Sequence, residues 1–378
     1  MRNVCAKLAA VGLAALLSSP LMAGAAKTTY PVVFAHGMGG FDDILGYSYW
    51  GDDYGVFVGD PCDEFLEVTC NGDISSSQKA YQAQVLPFAD SEVRGLDLAN
   101  DTEGFMAATG ATRVNLIGHS QGGIDARKAA KVLYQRKGVT VVRVLISVSS
   151  PHRGSPVAKW LMDNYSLASI VSVLANAYGN SVYQSGNDIY KSLKLLTFND
   201  YSSTDGITTG LKHYNYNNPI SSTYAYRYAS VITAQYGASV NPALLMVKLL
   251  KNIDGDGYCT TVSQSPYGTI VPDCENDGAA GKGDGNATEQ DDDGLVGINS
   301  QQMGHRLRWN DCFLCFDSFT TLTSPGYVGN INNPSSAAMT SMTGVVNQDH
   351  ADVIGLPPDT FDEKEFYAAM IDYIAYYD

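Results

Sequence analysis

One short stretch constrains this chain more than any other. Residues 113–117 form a brief, mostly apolar run, Gly118-His119-Ser120-Gln121-Gly122-Gly123 follows, and a helical pattern continues to about residue 136. A strand that turns sharply into a helix lifts the middle residue of the turn clear of the sheet. Such a turn closes only where the flanking positions carry no Cβ to strike neighbouring backbone. The G-x-S-x-G spacing meets that demand around Ser120. A helix start also favours negative charge developing beside it. The spacing therefore predicts a serine hydroxyl presented as a nucleophile at the carboxyl end of a strand.

The flanking sequence repeats the same alternation. Residues 30–35 are a short apolar run ending in His36-Gly37-Met38-Gly39-Gly40, a buried strand that feeds a glycine-rich loop. Residues 83–88 read as a second strand, 91–109 as a helix, 141–148 as another buried strand, and 361–377 as a closing amphipathic helix. Apolar strands alternating with helices predict an α/β fold, a mostly parallel sheet covered on both faces. Reactive residues in such sheets gather at the carboxyl ends of strands, where both glycine-rich loops fall. Residues 41–80 read as an excursion rich in Gly, Asp and Tyr. Residues 157–194 turn helical and strongly apolar. Residues 195–250 mix tyrosine-rich loops with a helical stretch near 243–250, and 254–293 form a Gly/Asp-rich insertion expected to be loop throughout.

A serine nucleophile needs a base, an acid and an oxyanion hole. Two amide donors must face the tetrahedral oxygen. Gln121, which follows the serine, supplies one, and Met38, in the loop after the first strand, supplies the other. Of six histidines, His36 and His119 belong to their motifs, His152 sits in a turn after a strand, and His213 and His305 have no distinctive setting. His350 lies late, on a loop before the last helix. The order serine, acid, histidine is that of α/β-hydrolases, and it selects His350 ahead of His305. The acid then falls between them. Asp291-Asp292-Asp293-Gly294 offers three candidates, and Asp293, next to the glycine and a small apolar run, fits best. Its role is to fix the imidazole tautomer and stabilise the imidazolium.

The chain as a whole limits where and on what such chemistry acts. Residues 1–26 carry Arg2 and Lys7, an apolar run over 8–17, and small residues at Ala23 and Ala25, the pattern of a secretory signal peptide. The run is short for a membrane span, and no later segment reaches about 18 uninterrupted apolar residues. About 350 residues remain, read as a single domain, 27–378, with insertions. Removing Arg2 and Lys7 takes the formal charge from −15 to −17. So acidic a chain repels phosphate backbones and anionic membranes, which argues against nucleic acid and leaves neutral lipids or esters open. Cys62, Cys70, Cys259, Cys274, Cys312 and Cys315 survive processing, an even number that suggests disulfides, though 15 full pairings are open. Pairing of neighbours along the chain is preferred. The Cys312-Phe313-Leu314-Cys315 spacing lacks a strand–CxxC–helix context, so a structural staple is favoured over zinc or redox chemistry.

With these residues in hand a resemblance emerges. His36-Gly37-Met38-Gly39-Gly40, the stretch from Ala111 through Gly123, and Ser150-Pro151-His152-Arg153-Gly154-Ser155 resemble the bacterial true lipases of the Pseudomonas/Burkholderia type. Asp293-Gly294-Leu295-Val296 and His350-Ala351-Asp352 look like that family's acid and histidine segments. The resemblance is close over 30–40 and 85–200 and patchy beyond. It implies an α/β-hydrolase fold, a Ser120–Asp293–His350 triad with Met38 and Gln121 as oxyanion amides, and a helical lid over residues 155–200. It also implies hydrolysis of long-chain acylglycerols at an interface by a secreted monomer, with a membrane-anchored foldase chaperone and export through the outer membrane. A carboxylesterase or polyester depolymerase would use the same triad, and a non-catalytic binding module on the same scaffold is the alternative from another class. The family's calcium ion is held by two aspartates. Asp352 matches one, and the other falls at Asn241, whose neutral carbonyl removes a ligand charge. The family's long-range disulfide has no counterpart, since Asn299 stands at one of its positions. The excursions at 41–80, 254–290 and 305–345 are additions that hold all six cysteines, as expected of stapled loops. Asp254, Asp256, Asp273 and Asp284 read as a solvated acidic loop rather than another ion site.

Overall fold

The computed structural model describes residues 26–40, 43–44, 47–50, 75, 77–163, 186–198, 210–235, 239–241, 244, 264–265, 268–269, 292–312, 317–335, 337–338, 341–355 and 361–378. In chain order the described strands are β1 (Val32–Ala35), a small hairpin of β2 (Asp43–Ile44) and β3 (Tyr47–Ser48), and β4 (Ala80–Ala83). Helix α1 (Ser91–Thr109), β5 (Val114–His119), α2 (Gln121–Lys137), β6 (Val142–Val148), α3 (Pro156–Asp163), α4 (Ile189–Leu195) and α5 (Leu211–Asn217) follow. Next come β7 (Ala225–Val231), a second small hairpin of β8 (Gln264–Ser265) and β9 (Gly268–Thr269), β10 (His305–Asn310), β11 (Ser318–Thr321) and α6 (Glu363–Tyr377).

Seven of these strands form one sheet in the order β11-β10-β7-β6-β5-β1-β4. Every neighbouring pair is parallel except β10 with β11. From β1 the chain steps one way to β4, then returns past β1 to β5 and continues outward. The strand order therefore reverses between β1 and β5, and the crevice beyond their carboxyl ends is where open α/β sheets hold ligands. Pairing of Ala35 with Gly118 brings those two ends level.

Both sheet faces are covered, as the alternation of side chains in a strand requires. Val32, Phe34, Ile117, Val144, Ile146 and Val148 pack into one core with Phe366, Tyr367, Met370 and Ile371 of α6. Val33, Ala35, Val114 and Leu116 point the other way, into a core with Leu98 and Met106 of α1 and Ala126, Ala129 and Leu133 of α2. Helix α1 begins where Asp90 caps the N–H groups of Glu92 and Val93, and it ends at left-handed Gly110.

Four expectations need correction. The second strand is β4, not residues 83–88: the Gln84 N–H is taken by Asp101 of α1 at 2.8 Å, and Pro87 has no N–H to continue a ladder. The tyrosine-rich stretch 195–250 contains a central strand, β7. Its pattern is masked because Arg227 and Tyr226 lie in its first half, where the Arg227 guanidinium packs over Tyr377 at 3.6 Å. The region 305–345 is not wholly an excursion, because β10 extends the parallel sheet and β11 closes its edge. The insertion 254–293 is not loop throughout, since β8 and β9 pair within it. Residues 1–25, the central part of the expected lid (164–185), most of the helical stretch near 243–250, and Asp254, Asp256, Asp273 and Asp284 lie outside the described residues. Among the described residues, no helix is long and apolar enough to cross a membrane.

Candidate active site

The turn after β5 is tight because backbone fills the space around it. A Cβ on Gly122 would stand 2.0 Å from the Ala35 carbonyl oxygen, and one on Gly118 would stand 2.5 Å from the Gly122 backbone. Ser120 itself adopts φ 53°, ψ −128°, a backbone region costly for a residue with a side chain and found where surrounding structure enforces it. Here the enforcement comes from the Ser120 N–H donating to the Val148 carbonyl at 2.9 Å and the Gly123 N–H donating to the Ser120 carbonyl at 3.2 Å. Helix α2 starts at the next residue, so its N-terminal end faces the hydroxyl.

His350 reaches Ser120 from far along the chain. Its Nε2 lies 2.9 Å from Ser120 Oγ, and its Nδ1 lies 2.9 Å from Asp293 Oδ2. Asp293 is fully buried and His350 nearly so. A neutral imidazole with its proton on Nδ1 donates to the carboxylate and leaves Nε2 to accept the serine proton. The backbone repeats the connection, since the His350 N–H donates to the Asp293 carbonyl at 2.9 Å. Asp293 Oδ1 accepts the N–H groups of Leu295 at 3.1 Å and Val296 at 2.8 Å, so the carboxylate caps its own turn. That turn is closed by a bridge between Asp292 and Gly297. Beyond His350, Tyr367 of α6 donates its hydroxyl to the Val353 carbonyl at 2.8 Å and fixes the short 3-10 turn Asp352–Ile354.

The other candidates stand elsewhere. Asp291 lies outside the described residues, and Asp292 Oδ1 accepts the Gly294 N–H at 2.5 Å. His305 is on β10 with its ring against Tyr327. His152 Nε2 is 2.9 Å from Ser147 Oγ, and His213 Nε2 is 2.6 Å from Asn217 Nδ2.

The loop after β1 lies against the serine, since a Cβ on Gly37 would come within 2.7 Å of Ser120 Cβ. Two features of this loop escaped the sequence analysis. The first is Arg94 of α1, fully buried and paired with Asp125 of α2 at 2.7 Å. Its guanidinium also donates to the carbonyls of Leu86, His36 (2.7 Å) and Gly37 (3.2 Å). In a trans peptide the carbonyl and the next N–H point oppositely. Holding the Gly37 carbonyl on the Arg94 side therefore turns the Met38 N–H away from it. The Gln121 side chain is engaged with Ala89 O at 2.8 Å. The second feature is a neutral chain through Tyr49. The Gly37 N–H donates to Tyr49 Oη at 2.9 Å, Tyr49 Oη is 2.7 Å from His119 Nδ1, and His119 Nε2 is 3.1 Å from the His350 carbonyl. Burial, with the neighbouring His350 second, holds His119 well below the usual imidazole range, and burial pushes the Tyr49 phenol up. Both therefore stay neutral, with Tyr49 donating to Nδ1 and Nε2–H donating to the His350 carbonyl. Spacing alone could have flagged neither group, although a buried arginine always needs partners.

The calcium expectation falls on Asp352 and Asn241, beside Asp349 and Gln235. Asp352 Oδ2 accepts the Asp349 N–H at 2.9 Å and Gln235 Nε2 at 3.2 Å, while Asn241 turns its backbone N–H to Asp349 Oδ2 at 2.5 Å. Calcium takes six to eight oxygens, and of the oxygens here Asp352 Oδ2 and Asp349 Oδ2 accept N–H groups. Among the described residues no three His, Cys, Asp or Glu side chains gather as a metal site. Cys312 is disulfide-bonded, and its partner lies outside the described residues, as do the other cysteines.

The sheet order, the strained serine between β5 and α2 and the loop after β1 define an α/β-hydrolase fold. Residues 31–191, less than half of the chain, match the family model described as palmitoyl protein thioesterase. The chain is 32% identical over 186 residues to a triacylglycerol lipase of Pseudarthrobacter phenanthrenivorans, covering 46% of this chain and 51% of that protein. Over the same length it is 32% identical to a triacylglycerol lipase of Burkholderia plantarii, covering 46% of each. It is 37% identical over 135 residues to one from Vibrio cholerae, 36% of each chain. The chain thus spans about half the length, or less, of the curated relatives it matches.

Proposed function

We propose that this chain is a serine hydrolase of carboxylic esters, with acylglycerols as the favoured substrates. The observation that carries the proposal is the hydrogen-bonded line from Ser120 Oγ through the His350 imidazole to Asp293 Oδ2. His350 Nε2 takes the serine proton as Oγ attacks the ester carbonyl. The amides of Met38 and Gln121 receive the oxyanion. The imidazolium, steadied by Asp293, passes its proton to the departing alcohol, and a water activated the same way releases the acid. The triacylglycerol lipases that resemble part of the chain support the choice of substrate. The thioesterase family model supports the same acyl transfer from a thioester.

In this proposal residues 1–26 direct export and are removed, 27–378 form one domain, and the region 155–200 works as a lid. Met38 and Leu161 lie against the apolar cluster of Phe88, Ile124, Met162 and Leu193. An opening there would present apolar surface to a lipid interface. Labelling with a fluorophosphonate is the test: Ser120 should be modified in the wild type. Ser120→Ala should lose ester turnover by at least about a thousandfold while keeping its melting temperature. An unlabelled serine, or near-normal turnover by Ser120→Ala, would end the proposal. Profiles over acyl length, with and without an emulsion interface, separate lipase from carboxylesterase or polyester depolymerase.

A further inference from the structure

Asp293 Oδ2 accepts more than the imidazole. The Thr233 hydroxyl, just beyond the end of β7, approaches it at 3.0 Å. Thr233 is fully buried, and its backbone is gripped at both ends by one amide. Gln301 Oε1 accepts the Thr233 N–H at 2.8 Å, and Gln301 Nε2 donates to the Thr233 carbonyl at 2.8 Å. Gln301 Nε2 also donates to the Val296 carbonyl at 2.9 Å, inside the acid turn. The threonine and the turn that carries Asp293 are therefore locked to each other.

The hydroxyl has one proton and three acceptors in reach, Ser149 Oγ at 2.6 Å, the carboxylate at 3.0 Å and Gln301 Oε1 at 3.3 Å. The carboxylate, the one charged acceptor of the three, takes it. Thr233 Oγ1 can then accept, and Ser149 Oγ lies 2.6 Å away. Ser149 stands at the end of β6 with φ 53°, the other non-glycine residue besides Ser120 with positive φ among the described residues. A side chain held there at a conformational cost is a pointer to function. The proton order is thus Ser149 to Thr233 to Asp293, and all three residues are fully buried.

We infer that Thr233, backed by Ser149, is a positioning residue that orients the Asp293 carboxylate so that Oδ2 meets His350 Nδ1. The inference rests on the proposed hydrolase reading. Thr233 touches no substrate. Its work is to stop the carboxylate rotating away from the imidazole when the imidazole becomes charged.

The experiment compares Thr233→Val, Thr233→Ser and Ser149→Ala in the full chain on a soluble ester. Thr233→Val keeps the shape and removes the donor. It should lower kcat about tenfold, the rate equivalent of one charge-assisted hydrogen bond, with KM within about twofold. Thr233→Ser should recover the rate to within about twofold of wild type, and Ser149→Ala, which keeps the same backbone penalty, should lose about threefold. The inference is overturned if Thr233→Val holds kcat within about twofold, or if Thr233→Ser falls as far as Thr233→Val. Should Thr233→Val fail to fold, Ser149→Ala decides: a selective loss of kcat supports the inference and an unchanged kcat overturns it. Fluorophosphonate labelling of wild-type Ser120 keeps the two readings apart. Without labelling the hydrolase proposal itself falls. With labelling and unaffected variants, only the role of Thr233 does.

Discussion

Around Ser120 the restraining atoms are mostly backbone: the carbonyls of Val148 and Ala35, the Gly123 N–H, and the peptide planes of Gly118 and Gly122. Around Asp293 and His350 the backbone of the acid turn is joined by side chains, contributed by Thr233, Gln301, Asp349 and Tyr367. The first half is one short turn, from β5 into α2, seated between the ends of the neighbouring strands β1 and β6. The second is assembled from four segments, two of them on loops. A backbone-built half tolerates no added atom, whereas a side-chain-built half is tuned by single functional groups. Arg94 is the chief exception, a side chain from α1 that grips the carbonyls of the loop after β1, beside Tyr49, which accepts the Gly37 N–H.

That exception is where the comparison is easiest to break. Arg94→Met should cost about 3–5 kcal/mol of unfolding free energy, because Asp125 is left buried without its partner. It should also lower kcat more than it raises KM, since the Gly37–Met38 peptide is freed. Urea unfolding beside ester kinetics measures both, and lost stability with intact kcat would mean that the oxyanion loop is self-supporting. Next, Gly122→Ala should cost about 3 kcal/mol, at the upper end for overpacking because the obstacle is backbone rather than a side chain that can swing. A variant melting within about two degrees of wild type would show the elbow to be looser than its contacts. The smallest effect belongs to the calcium expectation. Chelation by EDTA should move the melting temperature by no more than about one or two degrees, because Asp352 Oδ2 and both oxygens of Asp349 already accept N–H groups. A large fall, restored by calcium, would show that an ion organises the His350 loop after all.

Legibility in the sequence followed the same division. The strand–turn–helix around Ser120, helix α1 over residues 91–109 and strand β6 follow local spacing closely, since glycine sterics, capping and apolar runs act over a few residues. Strand β7 was missed because its exposed half carries Tyr226 and Arg227, whose partner is the remote α6 rather than a neighbour along the chain. Strands β10 and β11 were missed because they extend the sheet at its edge, where half-buried residues blur the alternation. His350 follows from chain order and its loop before the last helix, and Asp293 from its place before Gly294 and a small apolar run. Arg94, Tyr49 and Thr233 had no motif to mark them.

By itself the sequence determined a sharp turn with a raised serine, the glycine-rich loop that faces it, and the strand–helix alternation that makes a parallel sheet. Those follow from steric limits and periodicities that act within a few residues. Only the tertiary structure decided which of six histidines and three adjacent aspartates meet, and which buried groups orient them, because those contacts join residues 57 and 230 positions apart in the chain. No local rule reaches that far: a hydrogen bond over such a separation exists only once packing has already brought its partners together.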